Sequence, residues 1–291
     1  LQEFDLPARW TSLIQDYFSE AVHNLAQMWP DDQSLDISYR TIEGFDTEFA
    51  HDIVQNPDLH FHAANQALRQ FLIDAGSPTM FPFVRINHLP SDQVRTVSQL
   101  RADDIGQMLA LDSVVTKISG VRPRIYSAQF ECMACNHTMI INQPNEQELI
   151  EPVECEQITG GCGRAKRQTR FALNHKESIL INSQFIELQE LPEQMKGGIQ
   201  PERILCIGEH DLAGKLNPGD RVKANGVLFI RSQRKGGKDT PVFDIFLRIQ
   251  SLERQNIPLE EISITADEEL EIKELARRPD IYKLFTNSIA P

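Results

Sequence analysis

Long apolar runs are missing from this chain of 291 residues; there are only short stretches such as Ile179-Leu180-Ile181 and Val227-Leu228-Phe229-Ile230. A transmembrane helix needs about 20 apolar residues in succession, so a membrane span is excluded and no membrane partner is expected. The N-terminal stretch Leu1-Gln2-Glu3-Phe4-Asp5 is acidic and has no apolar core, unlike a signal peptide. Cysteine is scarce and odd in number, five in all, which excludes a disulfide scaffold and points to a reducing intracellular compartment. No G-x-x-x-x-G-K-[ST] loop is present: Gly214-Lys215 runs into Leu216, and Gly237-Lys238 into Asp239. G-x-S-x-G and H-E-x-x-H are absent too, so no nucleotide-hydrolysing or hydrolase motif offers a catalytic residue.

Positive charge is also short overall, 29 bases against 42 acids for a net of −13, but it is unevenly spread. Residues 1–60 hold twelve acids and two bases, a net of −10. Three islands have bases and no acid: Lys117, Arg122 and Arg124 within 113–130; Arg164, Lys166, Arg167, Arg170 and Lys176 within 163–176; Arg221, Lys223, Arg231, Arg234, Lys235 and Lys238 within 221–238. They suit either a phosphate-binding surface or solvated charges on separate faces.

Hydrophobic content of 41% and charged content of 24% are those of a folded chain, and the length allows more than one core. Trp10, Leu13, Ile14, Tyr17, Phe18, Ala21, Leu25 and Met28 recur at helical spacing and predict one amphipathic helix over about 8–28. Leu35, Ile37 and Tyr39 alternate like a short strand. Helical spacing resumes at Phe45, Phe49 and Ile53 and again from Leu59 to Leu72, with Gly76 as its stop. His60 and His62 share no helical face and read as solvated or satisfied side chains. Beyond Pro90 the sequence turns β-rich. Strands are predicted at 113–118, 125–130, 179–188, 221–230 and 242–247, the last two joined across a polar Ser232–Asp239 tip. About five strands with long insertions suit a small closed barrel of the oligonucleotide/oligosaccharide-binding (OB) type. A last helix, Ala266 to about Arg278, should stop at Pro279.

Cys132 and Cys135 form a C-x2-C step, and Cys155 and Cys162 follow as a wider pair next to Gly160-Gly161 and Gly163. Two separated cysteine pairs suggest a structural zinc site, with His137 in reserve as a ligand. A dithiol redox motif is the competing reading, but it leaves Cys155 and Cys162 unexplained. Cys206, inside Ile204-Leu205-Cys206-Ile207, reads as a core residue.

These features in this order resemble the minichromosome maintenance (MCM) replicative helicases. Ser113-Val114-Val115-Thr116-Lys117-Ile118-Ser119-Gly120-Val121-Arg122-Pro123-Arg124 resembles their first barrel strand, and Phe130-Glu131-Cys132-Met133-Ala134-Cys135 their entry into a zinc finger. Gln184 to Glu193, Pro218-Gly219-Asp220-Arg221-Val222, the basic hairpin and the closing Tyr282 to Pro291 are similar as well. The likeness implies a multi-domain α and β chain: a helical subdomain (1–95), a barrel (96–130 and 170–254) with a basic hairpin at 231–241, a zinc-binding insertion (131–169), and a linker with helix (255–291) leading to an absent AAA+ motor. The wide Cys155–Cys162 step departs from the commoner family spacing.

By the same likeness, zinc is the structural cofactor, held by Cys132, Cys135, Cys155 and Cys162, while ATP and magnesium belong to the motor. Partners would be single- and double-stranded DNA, further copies in a hexamer or double hexamer, and replication-initiation and loading factors. DNA would meet Lys117, Arg122, Arg124 and Arg170 on the barrel and neck, and Arg231, Arg234, Lys235 and Lys238 on the hairpin, through phosphates more than bases. Gln189 to Gln200 would relay motor position to the collar. The parent would be an ATP-dependent DNA helicase, with this piece inactive alone. A short N-terminus without a basic or Ser-rich tail looks archaeal, hence cytoplasmic and nucleoid-associated; a eukaryotic relative would be nuclear. A stand-alone zinc and OB scaffold, or a single-stranded-DNA-binding adaptor, is the alternative.

Overall fold

The computed structural model describes residues 6–74, 81–143, 149–191, 193, 200–235, 238–255 and 273–289, with side chains left undescribed at 232–235, 238–239, 284 and 287–289. Residues up to 255 form one unit and the remainder another.

The N-terminal region is helical, as its spacing predicts, but the first helix is two: α1 (Leu6–Tyr17) and α2 (Ser19–Met28), broken at Phe18. The break turns the chain so that Trp10, Leu13 and Ile14 are buried by α1 and Val22 and Leu25 by α2, while Tyr17 and Met28 of the expected stripe face water. After β1 (Ser34–Ser38) come α3 (Tyr39–Phe45), α4 (Thr47–Gln55) and α5 (Pro57–Asp74). Asp46 caps α4, its Oδ1 accepting from Phe49 N at 3.0 Å. Trp10 and Phe49 meet edge-on at 5.2 Å, and fully burying each such ring contributes about 1.5–3 kcal/mol. His60 is buried and half-satisfied: its Nε2 lies 3.0 Å from Asp52 Oδ2, while its Nδ1 is buried without a partner. Gly76 lies outside the described residues.

β2 (Phe83–Asn87) pairs in parallel with β1 and carries the subdomain onto the barrel. Ser251 Oγ donates to Ile86 O at 2.6 Å, His88 N donates to Glu253 Oε1 at 2.7 Å, and Arg85 Nη1 donates to Gln250 O at 3.1 Å.

The β-rich half is the expected OB barrel, with strands longer than the sequence alone suggests. β3 (Val94–Arg95) lies beside β4 (Met108–Ile118), and the closed ring runs β4, β9 (Arg221–Lys235), β10 (Lys238–Arg254), β8 (Arg203–Glu209), β7 (Phe171–Glu190) and back to β4. Closure removes open edges around the core. Inward residues alternate: Leu109, Leu111 and Val115 on β4; Ile186 and Leu188 on β7; Ile204 and Cys206 on β8; Leu247 and Ile249 on β10. Cys206 is thus in the core, and burial pushes its thiol upward. Gly226 belongs to the inward row of β9, where a Cβ would stand 2.4 Å from Arg248 O. Only glycine lets β10 approach so closely there.

β5 (Arg122–Cys132) and β6 (Thr138–Asn142) join the first half of β7 in an arm that leaves the barrel. Both long strands of the arm are irregular at one level: the β5–β7 register slips on either side of Ser127, and Ser178 Oγ fills the gap by accepting from Gln129 N at 3.0 Å. The hairpin differs from its expected form. Ser232–Lys235 and Lys238–Asp239, read from sequence as a polar tip, continue β9 and β10, with Lys235 opposite Lys238.

In the second unit, residues 273–276 are helical, Pro279 follows the break, and Ile281–Ile289 forms a further helix, α6. Most of the helix expected from Ala266 lies outside the described residues. Among the described residues, no helix is long and apolar enough to cross a membrane.

Candidate metal centre and nucleic-acid interface

The arm ends in the cysteine cluster. Cys132 closes β5; the chain then turns through Asn136, whose φ of +57° is left-handed, with Asn136 N bonded to Cys132 O at 2.8 Å. The tight knuckle brings Cys135 beside Cys132 before β6 begins. The wide second pair folds back as its glycines suggest. Gly160 has a φ of +101° and Gly163 of +70°, and Gly163 N bonds to Cys155 O at 3.0 Å. At Gly161 a Cβ would meet Cys155 Sγ at 2.4 Å and Glu156 O at 2.6 Å, so a side chain has no room there.

All four sulfurs lie within 4.8 Å of one another, with Cys132–Cys162 at 3.8 Å and Cys135–Cys155 at 3.7 Å. A tetrahedral zinc with bonds of about 2.3 Å requires sulfur–sulfur edges of about 3.8 Å, so the donor set fits one such ion. Burial disfavours ionising Cys132, but N–H groups of Ala134 and Cys135 and the Thr169 hydroxyl outweigh it and lower the thiol to about 6, whereas burial first and the neighbouring thiols push Cys155 up to about 12. His137, the reserve ligand, turns away: its Nε2 lies 2.9 Å from Thr159 Oγ1. The geometry gives four sulfurs and no open position, a closed site of the structural kind.

The basic residues divide into distinct groups. Arg122 begins β5, is exposed, and has no acidic partner among the described residues. Lys117 is exposed but has Glu187 Oε2 at 3.6 Å, a carboxylate that also accepts from Thr116 Oγ1 at 2.9 Å and Arg203 Nη1 at 3.1 Å. The Thr116 hydroxyl first, then the two cations, hold Glu187 below the usual carboxylate range. Arg124 sits otherwise. Its side chain is 12% exposed, with Nη2 at 2.6 Å from Glu209 Oε1 and Nη1 donating to Gln143 O at 2.9 Å. It braces the barrel against the arm. Arg170 is exposed at the neck, just before β7, and its carbonyl accepts from Met133 N at 3.0 Å.

Arg231 lies at the hairpin root, its guanidinium 4.4 Å from the centre of the Phe246 ring. With Arg101 and Arg203, which lie outside the three sequence islands, it lines a groove of about 690 Å³ between β8 and the hairpin. For Arg234, Lys235 and Lys238 only backbone position is described, near the hairpin end. The islands do not form one patch on a single chain. Lys117 lies on β4 beyond Val114, the last β4 residue paired with β9, while the hairpin runs on past the other end, where Met108 faces Val227.

Sequence reasoning missed a polar cluster where the helical subdomain meets the barrel. Arg85, 5% exposed, pairs closely with Asp211, and Ser34 Oγ donates to Asp211 Oδ2 at 3.0 Å. A lone arginine between Val84 and Ile86 of a buried strand is the one signal that could have flagged it.

A family profile described as the MCM OB domain matches residues 96–232. The minichromosome maintenance protein MCM of Saccharolobus solfataricus is 30% identical over 267 residues, covering 89% of this chain and 38% of that one. The solved N-terminal domain of an archaeal MCM superposes with a TM-score of 0.75 at 27% identity, covering 88% of this chain and all of the other. The chain belongs to the MCM family and matches its N-terminal domain. DNA replication licensing factor mcm5 of Dictyostelium discoideum is 23% identical, with 88% of this chain covered against 35% of that relative. The chain thus spans little over a third of these MCM relatives.

Proposed function

We propose that this MCM domain is the DNA-binding, ring-forming collar of a replicative helicase, with zinc as the structural ion of its arm. The observation that carries the reading is the hairpin: β9 and β10 continue well beyond the barrel and present Arg234, Lys235 and Lys238 near their end. A scaffold gives no reason to concentrate cations at a projecting tip. Because Arg122 and the hairpin lie toward opposite ends of β4, contact with both by one DNA strand is made across assembled copies. Lys117 and Arg170 supplement Arg122 at the barrel and neck, and Arg231 anchors the hairpin root, while Arg124 acts mainly by holding β5 in place. The contacts are to phosphates, hence largely blind to sequence and sensitive to salt. In the parent, ATP hydrolysis belongs to a motor this chain does not contain, and loading and initiation factors are its further partners.

The test is a low-salt titration with single- and double-stranded DNA, paired with light scattering. Salt-dependent binding by a hexamer or double hexamer supports the collar. A strict monomer that ignores DNA at every salt concentration supports the scaffold reading.

A further inference from the structure

Three consecutive residues at the end of β8, Glu209-His210-Asp211, each grip a different part of the molecule. Glu209 holds Arg124 of β5 at 2.6 Å. His210 packs against Phe83 of β2 with ring centres 3.6 Å apart and planes tilted by 32°, and Tyr126 of β5 meets it edge-on at 5.6 Å. Asp211 takes Arg85 of β2 and Ser34 of β1, and Lys215 Nζ lies 3.0 Å from its Oδ2. Side chains of both ion pairs are largely buried, at 5%/9% exposure for Arg85–Asp211 and 12%/16% for Arg124–Glu209.

The backbone is unusual at the centre of this tripeptide. His210 has a φ of +59°, the left-handed region that a non-glycine residue enters at a cost of about 1–3 kcal/mol. That conformation aims three neighbouring side chains at separate elements, and the contacts around it hold it there. The tripeptide also reaches the exposed arginine. Across the sheet, Arg122 of β5 faces Ser183 of β7, and Ser183 faces Glu209 of β8, so Arg122 and Glu209 lie in one cross-strand row.

We propose that Glu209-His210-Asp211 couples the docking of the helical subdomain to the DNA-contacting start of β5, so that DNA held at Arg122 and the docked subdomain stabilise each other. Asp211 and Phe83 are positioning residues in this scheme; neither touches DNA. The proposal rests on the DNA-binding reading above. Linkage makes the effect reciprocal: if docking improves DNA affinity by some factor, DNA improves docking by the same factor.

Hydrogen exchange of the β2 amides, Phe83–Asn87, reads docking, and oligothymidylate anisotropy reads binding. In the wild-type chain, saturating oligothymidylate should slow β2 exchange about fivefold, the low end of usual coupling. Asp211→Asn keeps the side-chain shape but weakens the hold on Arg85. Phe83→Leu keeps an apolar contact but removes the ring from His210, and serves if the first variant folds poorly by circular dichroism. In either variant the DNA-induced protection of β2 should disappear and affinity fall by the same factor, with the salt slope unchanged because Arg122 remains. Protection of β2 that DNA does not alter in the wild-type chain, or that survives both substitutions, overturns the coupling. Absence of any oligothymidylate binding overturns the DNA-binding reading itself, and the coupling with it.

Discussion

Gly161→Ala is the sharpest probe of the metal centre, because it adds one methyl group and removes no ligand. That methyl would stand 2.4 Å from Cys155 Sγ and 2.6 Å from Glu156 O, with His137 Cδ2 also near at 3.1 Å, where ordinary contacts begin at 3.4 Å. Cys155 Sγ must therefore retreat by about 1 Å (3.4 − 2.4), and the Glu156 carbonyl by a little less. Metal–ligand distances tolerate deviations of only about 0.2 Å. The loop must open or the bond must lengthen, and overpacking of this kind costs about 1–3 kcal/mol. At 1.4 kcal/mol per decade, zinc affinity should fall roughly 5- to 150-fold. Competition with a chromophoric chelator at constant pH measures it directly. Gly120→Ala is the control, since nothing lies within 4 Å of its Cβ position. Wild-type zinc affinity in a folded Gly161→Ala chain would refute the geometry derived for the site.

Three further outcomes are expected. Metal analysis of Cys155→Ser should show loss of zinc and a less stable arm, while His137→Ala keeps full occupancy; the reverse pattern would put His137 in the ligand set. Arg122→Ala should weaken single-stranded DNA binding and flatten the log affinity against log salt slope by about 0.7. Arg124→Ala should instead lower stability by about 2–3 kcal/mol in urea, because Glu209 is left unpaired; equal effects of both on DNA would contradict their separation. Burial first, then Arg85 and Arg124, push His210 down to about 3, so the unfolded chain takes up a proton as pH falls below about 6.5 and the native chain does not. Stability from this group is present above about 6.5 and lost below it, by up to about 1.4 kcal/mol per pH unit. His210→Asn, which tolerates the left-handed backbone, should show a shallower decline between pH 6.5 and 5; parallel curves would refute the assignment.

Much of this molecule was legible in its sequence, and the remainder was hidden for identifiable reasons. The cysteine pairs pointed to the four-sulfur cluster because ligand chemistry is carried by residue type and spacing alone. The barrel strands showed through their β-rich composition between turn residues, and Cys206 through its apolar neighbours. What local pattern cannot carry is the partner across the chain. Arg124 reads as one of three bases in an acid-free window, yet its carboxylate comes from Glu209, on a different strand. Helical period persists across Phe18, so the break between α1 and α2 left no mark in it. The polar residues that read as a turn at 232–239 mostly extend the hairpin, since strands that have left a core no longer need an apolar face. His210 has no sequence signature at all, because its role depends on Phe83 and Tyr126 arriving from other elements.

The shared irregularity of β5 and β7 has a mechanical consequence. Above and below that level the two strands are tied by ladders: β7 to β4, with one slip between Val115 and Lys117, and to β8 on the barrel side, and β5 to β6 and β7 on the cysteine side. Between β5 and β7 the irregularity is confined to the stretch near Ser127 and Asn174 to Ser178, while β6 stays paired with β5 through it, Ser127 facing Asn142 and Gln129 facing Ile140. Bending of the cysteine-bearing tip against the barrel is expected to concentrate at that level. The Ser178 hydroxyl, bonded to Gln129 N at 3.0 Å and Asn174 O at 2.7 Å, is the pin through it.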